Sequence, residues 1–515
     1  MTTFTDARRN FLRTALGSAM LPLIPSALSA STAPGQFDPS FGSAVDALAA
    51  LDAKVISSVE LTRHVFDRIR RYDSRINAFV TLREESAVAE ARAADERRAR
   101  RQVLGVLDGL PVMVKDYYET AGIRTTAGLQ RLKDFVPATD ATVVARLKRA
   151  GALIIGKTNT PEEGDAQTYN TVAGTTNNPW DVTRTPGGST GGGAAALASG
   201  FGFLEVGSDI GGSIRIPSHF CGVYGHKATL DVVPQDGHIP GGPRELNAPQ
   251  VLGVGGPLAR SAPDLLLALG VLGGPNGDMA LGYRWLLPPP RAENLRRFRI
   301  GFVHDDAYCP LDAEVAAVVA DALNRMSAVG ISMKAGWPKS FDAQASFDNY
   351  AFLLGSIISR DASSTLLEQM RRRIAQGDRA PYYLGALATH REWDEQNVRR
   401  MRAQAVWREY FKEVDAFVSP VCFVAAFPHD HTPDRASRTL LTAAGKRPYL
   451  DVAKWIAPAA LLGCPATVIP IGHASSGLPV GLQIMGPYME DATPLTIALC
   501  MQQLTGGFAQ PPGLA

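Results

Sequence analysis

Residues 185–230 read TPGGSTGGGAAALASGFGFLEVGSDIGGSIRIPSHFCGVYGHKATL. Glycine comes in clusters, at Gly187-Gly188, Gly191-Gly192-Gly193 and Gly211-Gly212, and hydroxyl residues flank them: Ser189 and Thr190 after the first, Ser213 after the last. Glycine lets the backbone approach a ligand closely and adopt dihedrals that other residues avoid. Consecutive N–H groups beside a serine oxygen are what acyl transfer needs to hold a developing oxyanion. The same composition also makes an ordinary turn between a loop and a helix, so residues outside the stretch must decide.

The chain has 515 residues, 45% hydrophobic and 20% charged, enough apolar content for a sizeable core. Its net charge is +2, and residues 1–30 carry that excess in Arg8, Arg9 and Arg13 against Asp6. The near-neutral remainder argues against a nucleic-acid partner. Residues 1–30 place the twin arginine before an apolar run from Ala15 to Leu28 and end in small residues, resembling a twin-arginine export signal. The expected location is periplasmic or secreted, without stable membrane anchoring after signal removal. Residues 31–42, with Pro34, Gly35, Pro39 and Gly42, read as a tether, and 43–510 as one domain. Cys221, Cys309, Cys422, Cys464 and Cys500 lack paired spacing and read as small buried hydrophobes, with neither a disulfide framework nor a metal site.

Elements follow from periodicity. Ser57 and Glu60 have capping-box spacing, with Leu61, Val65, Phe66 and Ile69 on one helical face. Residues 83–101 predict a charged helix with Val88 inward. Leu110–Val114 is an apolar strand, 140–150 an amphipathic helix closed by Gly151, and 152–155 a second strand. This strand–helix–strand order predicts a βαβ unit and therefore an α/β fold with a parallel sheet covered by helices. Further strands are expected at 77–80, 203–206, 298–303, 415–418, 466–471 and 480–485. Helices are expected at 193–200, 263–272, 313–326 and 491–504, with several aromatic-containing helices across 341–412 that could shape a pocket.

Three motifs mislead. Gly151–Thr158 fits the P-loop expression, but its middle residues form an apolar strand where a flexible phosphate-binding turn is needed. Gly187–Gly191 fits the nucleophile elbow of α/β-hydrolases, which would make Ser189 the nucleophile with His429, His431 or His473 as base; the elbow needs a preceding strand, and 181–186 is a poor one. His429-Asp430-His431 has no evident third metal ligand.

Lys115, at the end of the apolar strand, changes the reading. A serine nucleophile needs a base, and lysine serves only when neutral, so burial must lower its pKa by roughly 2–3 units. The competing reading is a surface lysine paired with Asp116. The motifs Pro111–Asp116, Gly156–Asn159, Pro186–Gly192, Gly207–Pro217, Cys221–Gly225 and Gly477–Gln483, in this order, resemble the amidase signature family. Similarity spans roughly 43–505 and is weakest across about 275–410, where a helical, variable region is expected.

The resemblance implies the amidase signature fold: a central mixed, largely parallel twisted sheet with helices on both faces. It also implies a Ser–cis-Ser–Lys triad of Ser213 as nucleophile, Ser189 as bridge and Lys115 as base, with a cis peptide bond at Gly188–Ser189. The amides of Ile210, Gly211, Gly212 and Ser213 would form the oxyanion hole, Asp209 and Arg215 would support the loop, and neither cofactor nor metal would be needed. The expected activity is hydrolysis of a linear carboxylic amide, a small molecule, by a monomer or homodimer. Alternatives are an esterase or carbamate hydrolase on the same triad, the Ser189 elbow esterase, a non-catalytic binding protein, and the amidotransferase subunit that serves aminoacyl-tRNA, which an export signal disfavours. Departures from the family pattern are Thr190 and Gly193 where serines are frequent, Tyr117-Tyr118 after Lys115-Asp116, and His226 where leucine is common. The two tyrosines are open to either a pocket or a packing role.

Overall fold

The computed structural model describes residues 37–162, 164–239 and 250–514. The export signal and the first part of the tether therefore lie outside the described residues. One mixed sheet of eleven strands runs through the domain. In chain order these are β1 (Phe79–Leu82), β2 (Pro111–Lys115), β3 (Leu153–Thr158), β4 (Leu204–Asp209), β5 (Tyr224–Lys227), β6 (Val254–Ala259), β7 (Arg299–Phe302), β8 (Ser332–Ala335), β9 (Ala416–Pro420), β10 (Ala466–His473) and β11 (Pro479–Met485). Their spatial order is β1-β3-β2-β4-β6-β5-β10-β11-β9-β7-β8.

The expected βαβ unit is present. β2 and β3 pair in parallel, with Pro111 opposite Leu153 and Lys115 opposite Thr158. They are joined through α1 (Thr142–Arg149), after which Gly151 takes a positive φ. β2 also pairs in parallel with β4, as β7 does with β8 and β9, and the remaining neighbours are antiparallel. Every residue of β2, β3 and β4 is buried. A strand covered on both faces reads as a continuous apolar run rather than an alternating one, which is why 110–114 was legible. The capping box at Ser57 and Glu60 also forms, opening the helix Ser58–Ile76.

Three strands escape the periodicity reading. β6 is Val-Gly-Gly-Pro-Leu-Ala, poor in strand formers, and it is held by antiparallel pairing to both β4 and β5. β5 and β8 are four residues each. In the charged helix Glu84–Ala99 the buried residues are Ala87, Ala91 and Ala94, spaced three and four apart, and Val88 is only half-buried beside them. The tether reading also needs correction from residue 37 onward. Phe37 stacks on Phe203 and Phe41 on Phe508, while Arg260 donates to the Phe41 and Gly42 carbonyls. Two aromatic rings between the Pro and Gly residues outweigh the loop-like composition.

Between β4 and its neighbours lie the two short helices of the glycine-rich stretch, α2 (Gly191–Ala198) and α3 (Arg215–Cys221), both wholly buried. The helical region 341–412 contains α4 (Ala343–Ile358) and α5 (His390–Glu413) with two shorter helices between them. Trp407 of α5 is buried among Trp337, Phe341 and Phe417. Among the described residues no helix is long and apolar enough to cross a membrane.

Candidate active site

β2 delivers Lys115 into the interior with no solvent exposure. Its Nζ lies 2.7 Å from Ser189 Oγ and 3.1 Å from Ser208 Oγ, and sits 4.4 Å from the centre of the Tyr117 ring. Burial lowers the Lys115 amine to about 7 against the opposing pull of Glu205 and Asp209, because a charged ammonium without water is costly. The surface pairing with Asp116 does not form. Asp116 accepts from the Thr126 N–H and hydroxyl and lies 3.8 Å from Lys157.

Ser189 is 2% exposed and ends a loop whose Gly188–Ser189 peptide is cis. No strand precedes it, so the elbow geometry is absent. The Thr160 hydroxyl holds the Ser189 carbonyl at 2.9 Å and the Thr168 hydroxyl holds the Gly187 carbonyl at 2.8 Å. The Thr190 N–H donates to the Ser213 carbonyl at 3.1 Å, which ties the two serine loops together. Ser213 is 8% exposed. Exposure therefore falls from Ser213 through Ser189 to Lys115, the order in which a proton would travel.

The loop from β4 to α3 is fixed by one ion pair. Arg215 Nη2 and Nε donate to the two Asp209 carboxylate oxygens at 2.9 and 3.0 Å, with both side chains fully buried. Burial alone would raise the Asp209 carboxyl, but the Arg215 guanidinium and the Gly212 amide outweigh it and hold it at about 2. Arg215 Nη1 reaches on to the Ile456 carbonyl and Gln483. Gly212, at φ +90°, donates its N–H to Asp209 at 2.9 Å. This corrects the expected oxyanion set, since that amide is already committed to the carboxylate. No acceptor is seen for the amides of Ile210, Gly211 and Ser213 among the described residues. From α4, the Tyr350 hydroxyl donates to the Ile210 carbonyl at 3.2 Å.

A family model for amidases matches residues 60–495. The chain belongs to the amidase signature family. Among the relatives of this amidase is a glutamyl-tRNA(Gln) amidotransferase subunit from Moorella thermoacetica, 33% identical over 502 residues, covering 90% of this chain and 96% of the relative. The corresponding protein of Marinobacter nauticus is 34% identical, with 90% and 97% covered. A crystal structure of an amidase superposes with a TM-score of 0.73 at 27% identity, covering 90% of this chain and 100% of the other. A bacterial aryl acylamidase of the amidase signature family gives a TM-score of 0.75 at 22% identity, with 90% and 97% covered, and shows the fold.

The departures from the family pattern acquire physical accounts. Tyr117 and Tyr118 are buried packing residues: the Tyr117 hydroxyl binds the Pro161 carbonyl at 2.6 Å and the Tyr118 hydroxyl the Gly207 carbonyl at 3.1 Å. His226 is buried between Thr467 and Asp491, at 2.9 and 3.1 Å. In the P-loop look-alike, Lys157 has no exposure and its amine binds the Tyr118 carbonyl and the Thr120 and Thr125 hydroxyls, so it faces no ligand. His431 stacks on Tyr169. Four of the five cysteines are buried and Cys500 half-buried.

The sequence reading missed three neighbours of the lysine. Ser208 touches its amine directly. His238 Nε2 lies 2.9 Å from Ser208 Oγ. Glu205, wholly buried, accepts from the Thr158 hydroxyl at 2.7 Å, while its other oxygen has no partner among the described residues. Burial raises the Glu205 carboxyl to about 8, so it and Lys115 are both pushed toward neutrality. A lone glutamate in the apolar run Phe203–Val206 was the available signal: charged residues are almost never fully buried without a partner.

Proposed function

We propose that the protein is an exported hydrolase of carboxylic amides that forms an acyl-enzyme on Ser213, with Ser189 as proton bridge and Lys115 as base. The observation that carries this reading is the buried Lys115 amine at 2.7 Å from Ser189 Oγ. With its lone pair free, Lys115 draws the Ser189 hydroxyl proton, and Ser189 in turn takes that of Ser213. The Ser213 oxygen attacks the amide carbonyl, and the carbonyl oxygen takes up the negative charge beside the amides of the Ile210–Ser213 loop, where fixed donors stabilise it. The proton returns through Ser189 to the leaving nitrogen as the C–N bond breaks. Water activated along the same line then cleaves the ester and releases the acid. Asp209 and Arg215 hold the loop that presents the nucleophile. The reaction drawn this way asks for no cofactor.

The twin arginine at Arg8-Arg9 before an apolar run supports export. Mapping the adduct of a fluorophosphonate tests the assignment: modification of Ser213 is expected, whereas modification of Ser189 supports the elbow esterase instead. An absence of any acyl or phosphonyl adduct favours a binding protein. A panel of aryl, fatty, peptide and carbamate amides and esters separates the amidase from an esterase or carbamate hydrolase on the same residues. The identity to amidotransferase components supports a second reading, a role in amidotransfer on aminoacyl-tRNA. Retention of the full-length chain inside fractionated cells would favour that role over an exported enzyme.

A further inference from the structure

Lys115 has neighbours on two sides. Toward the nucleophile it meets Ser189. Away from it runs a second hydrogen-bonded line, from Lys115 Nζ to Ser208 Oγ at 3.1 Å and from Ser208 Oγ to His238 Nε2 at 2.9 Å. Ser208 is 7% exposed, and His238 is half-buried at the outer end. The edges of the Tyr117 and Tyr118 rings hold the imidazole at 5.5 and 5.0 Å, and Tyr118 and His238 form an isolated β-bridge.

The proton inventory along this line is restrictive. A neutral lysine amine has one lone pair and two N–H bonds. For Lys115 to act as base, the lone pair must accept from Ser189, which leaves an N–H to donate to Ser208 Oγ. Ser208 then directs its own O–H at His238 Nε2, which must be the unprotonated nitrogen of a neutral ring. When His238 takes a proton from solvent at Nε2, that nitrogen becomes a donor to Ser208 Oγ, and the Ser208 O–H turns back toward Lys115 Nζ. The lone pair is then occupied from the wrong side. If the proton passes further, Ser208 delivers its hydrogen to Nζ while receiving one from His238, and the amine becomes an ammonium. In either case one proton enters at His238 and the base loses its lone pair.

The geometry points to His238 as a positioning residue that sets, through the direction of the Ser208 hydroxyl, whether Lys115 is available as base. This rests on the Ser213–Ser189–Lys115 reading. The titratable groups facing His238 are Tyr117 and Tyr118, with Lys115 behind Ser208. The nearest carboxylates along the backbone belong to Glu119, whose N–H binds the Gly237 carbonyl, and Asp236, which accepts from Asn276. Those two bonds do not involve the imidazole.

The test uses the rate of phosphonylation of Ser213 by a small alkyl fluorophosphonate between about pH 5 and 9, on either side of the ordinary histidine pKa, and needs no knowledge of the natural substrate. In the unaltered protein the acid limb should steepen toward a slope of two on a logarithmic plot, one proton for Lys115 and one for His238. In His238→Gln, whose amide does not titrate, the slope should fall to one. Ser208→Ala cuts the same line without touching the ring and should do likewise, which keeps the test decisive if His238→Gln does not fold. An unchanged slope in the folded variants, or a loss of rate by the same factor at every pH, overturns the inference and leaves His238 a packing residue. An absence of adduct on Ser213 in the unaltered protein overturns the functional reading and this inference with it.

Discussion

Gly193 lies against Glu205: a Cβ on Gly193 would stand 2.5 Å from Glu205 Cγ and 2.6 Å from its Oε1. The missing side chain on α2 is thus matched to a large one on β4. This accounts for the glycine at a position where the family often has serine. In an unobstructed helix, replacing glycine by alanine stabilises by roughly 0.5–1 kcal/mol. Here the sign should reverse, with Gly193→Ala costing about 1–3 kcal/mol through overpacking. Urea denaturation of Gly193→Ala, Glu205→Ala and the double variant should show a positive coupling. Additive single effects would mean the two residues do not constrain each other.

Lys115 should impose an acid limb on amide hydrolysis centred near pH 7, because the base works only above its own pKa of about 7. Lys115→Met should lower kcat by about 10²–10⁴-fold, the usual worth of general base catalysis. Stability gives an independent check. The folded value of about 7 lies below the ordinary 10.5, so between those pH values the unfolded chain holds more protons. The contribution of this group to stability therefore rises as the pH climbs from 7 to 10.5. Denaturation midpoints taken across that range should climb less steeply in Lys115→Met than in the unaltered protein.

Asp209→Ala removes the partner of a fully buried guanidinium. Stranding such a charge costs about 3–5 kcal/mol, and the loop bearing Ser213 loses its anchor at the same time. Because the folded Asp209 value of about 2 lies below the ordinary 3.8, the stabilisation is in place above pH 3.8 and is lost as the pH falls through 2. Guanidinium melts at about pH 7 and about pH 3 measure both effects. A variant within about 1 kcal/mol of the unaltered protein at neutral pH would mean the ion pair is replaceable by local repacking.

Tyr350→Phe deletes the hydrogen bond to the Ile210 carbonyl, whose peptide unit carries the Gly211 N–H on its other side. One hydrogen bond is worth about 0.5–1.5 kcal/mol. If the loss is felt in the transition state, kcat should fall by about two- to tenfold with KM nearly unchanged. Steady-state kinetics on any accepted amide distinguishes this from an equal rise in KM, which would assign Tyr350 to substrate binding instead.

Much of this architecture could be read from residue patterns because its central strands are covered on both faces. The apolar runs ending in Lys115 and Thr158 announce themselves, and Gly151 marks the helix end between them. The two serines and the lysine were identifiable as chemistry-bearing residues, and their order followed from the family's motifs. What stayed hidden was the company they keep. Ser208 and His238 are thirty residues apart and meet through the fold, and no spacing rule links them. β6 was invisible because its stability comes from two neighbours rather than from its own Gly-Gly-Pro sequence. The Gly212 amide was misassigned because sequence shows which N–H groups are near the serine but not which of them a carboxylate has already taken.

The strand order has a further consequence. Lys115, Ser189, Ser208 and Ser213 all come from β2, β4 and the loops beside them, within one stretch of the chain. β7, β8, β9 and α4 belong to the other end of the sheet, and that half meets the nucleophile loop through Tyr350, Ile456 and Gln483. The apparatus that moves protons and the wall that faces it are thus separate inheritances. Residues 341–412 can drift, be exchanged or be redesigned while the proton line keeps its lengths, so a new specificity does not require rebuilding the reaction.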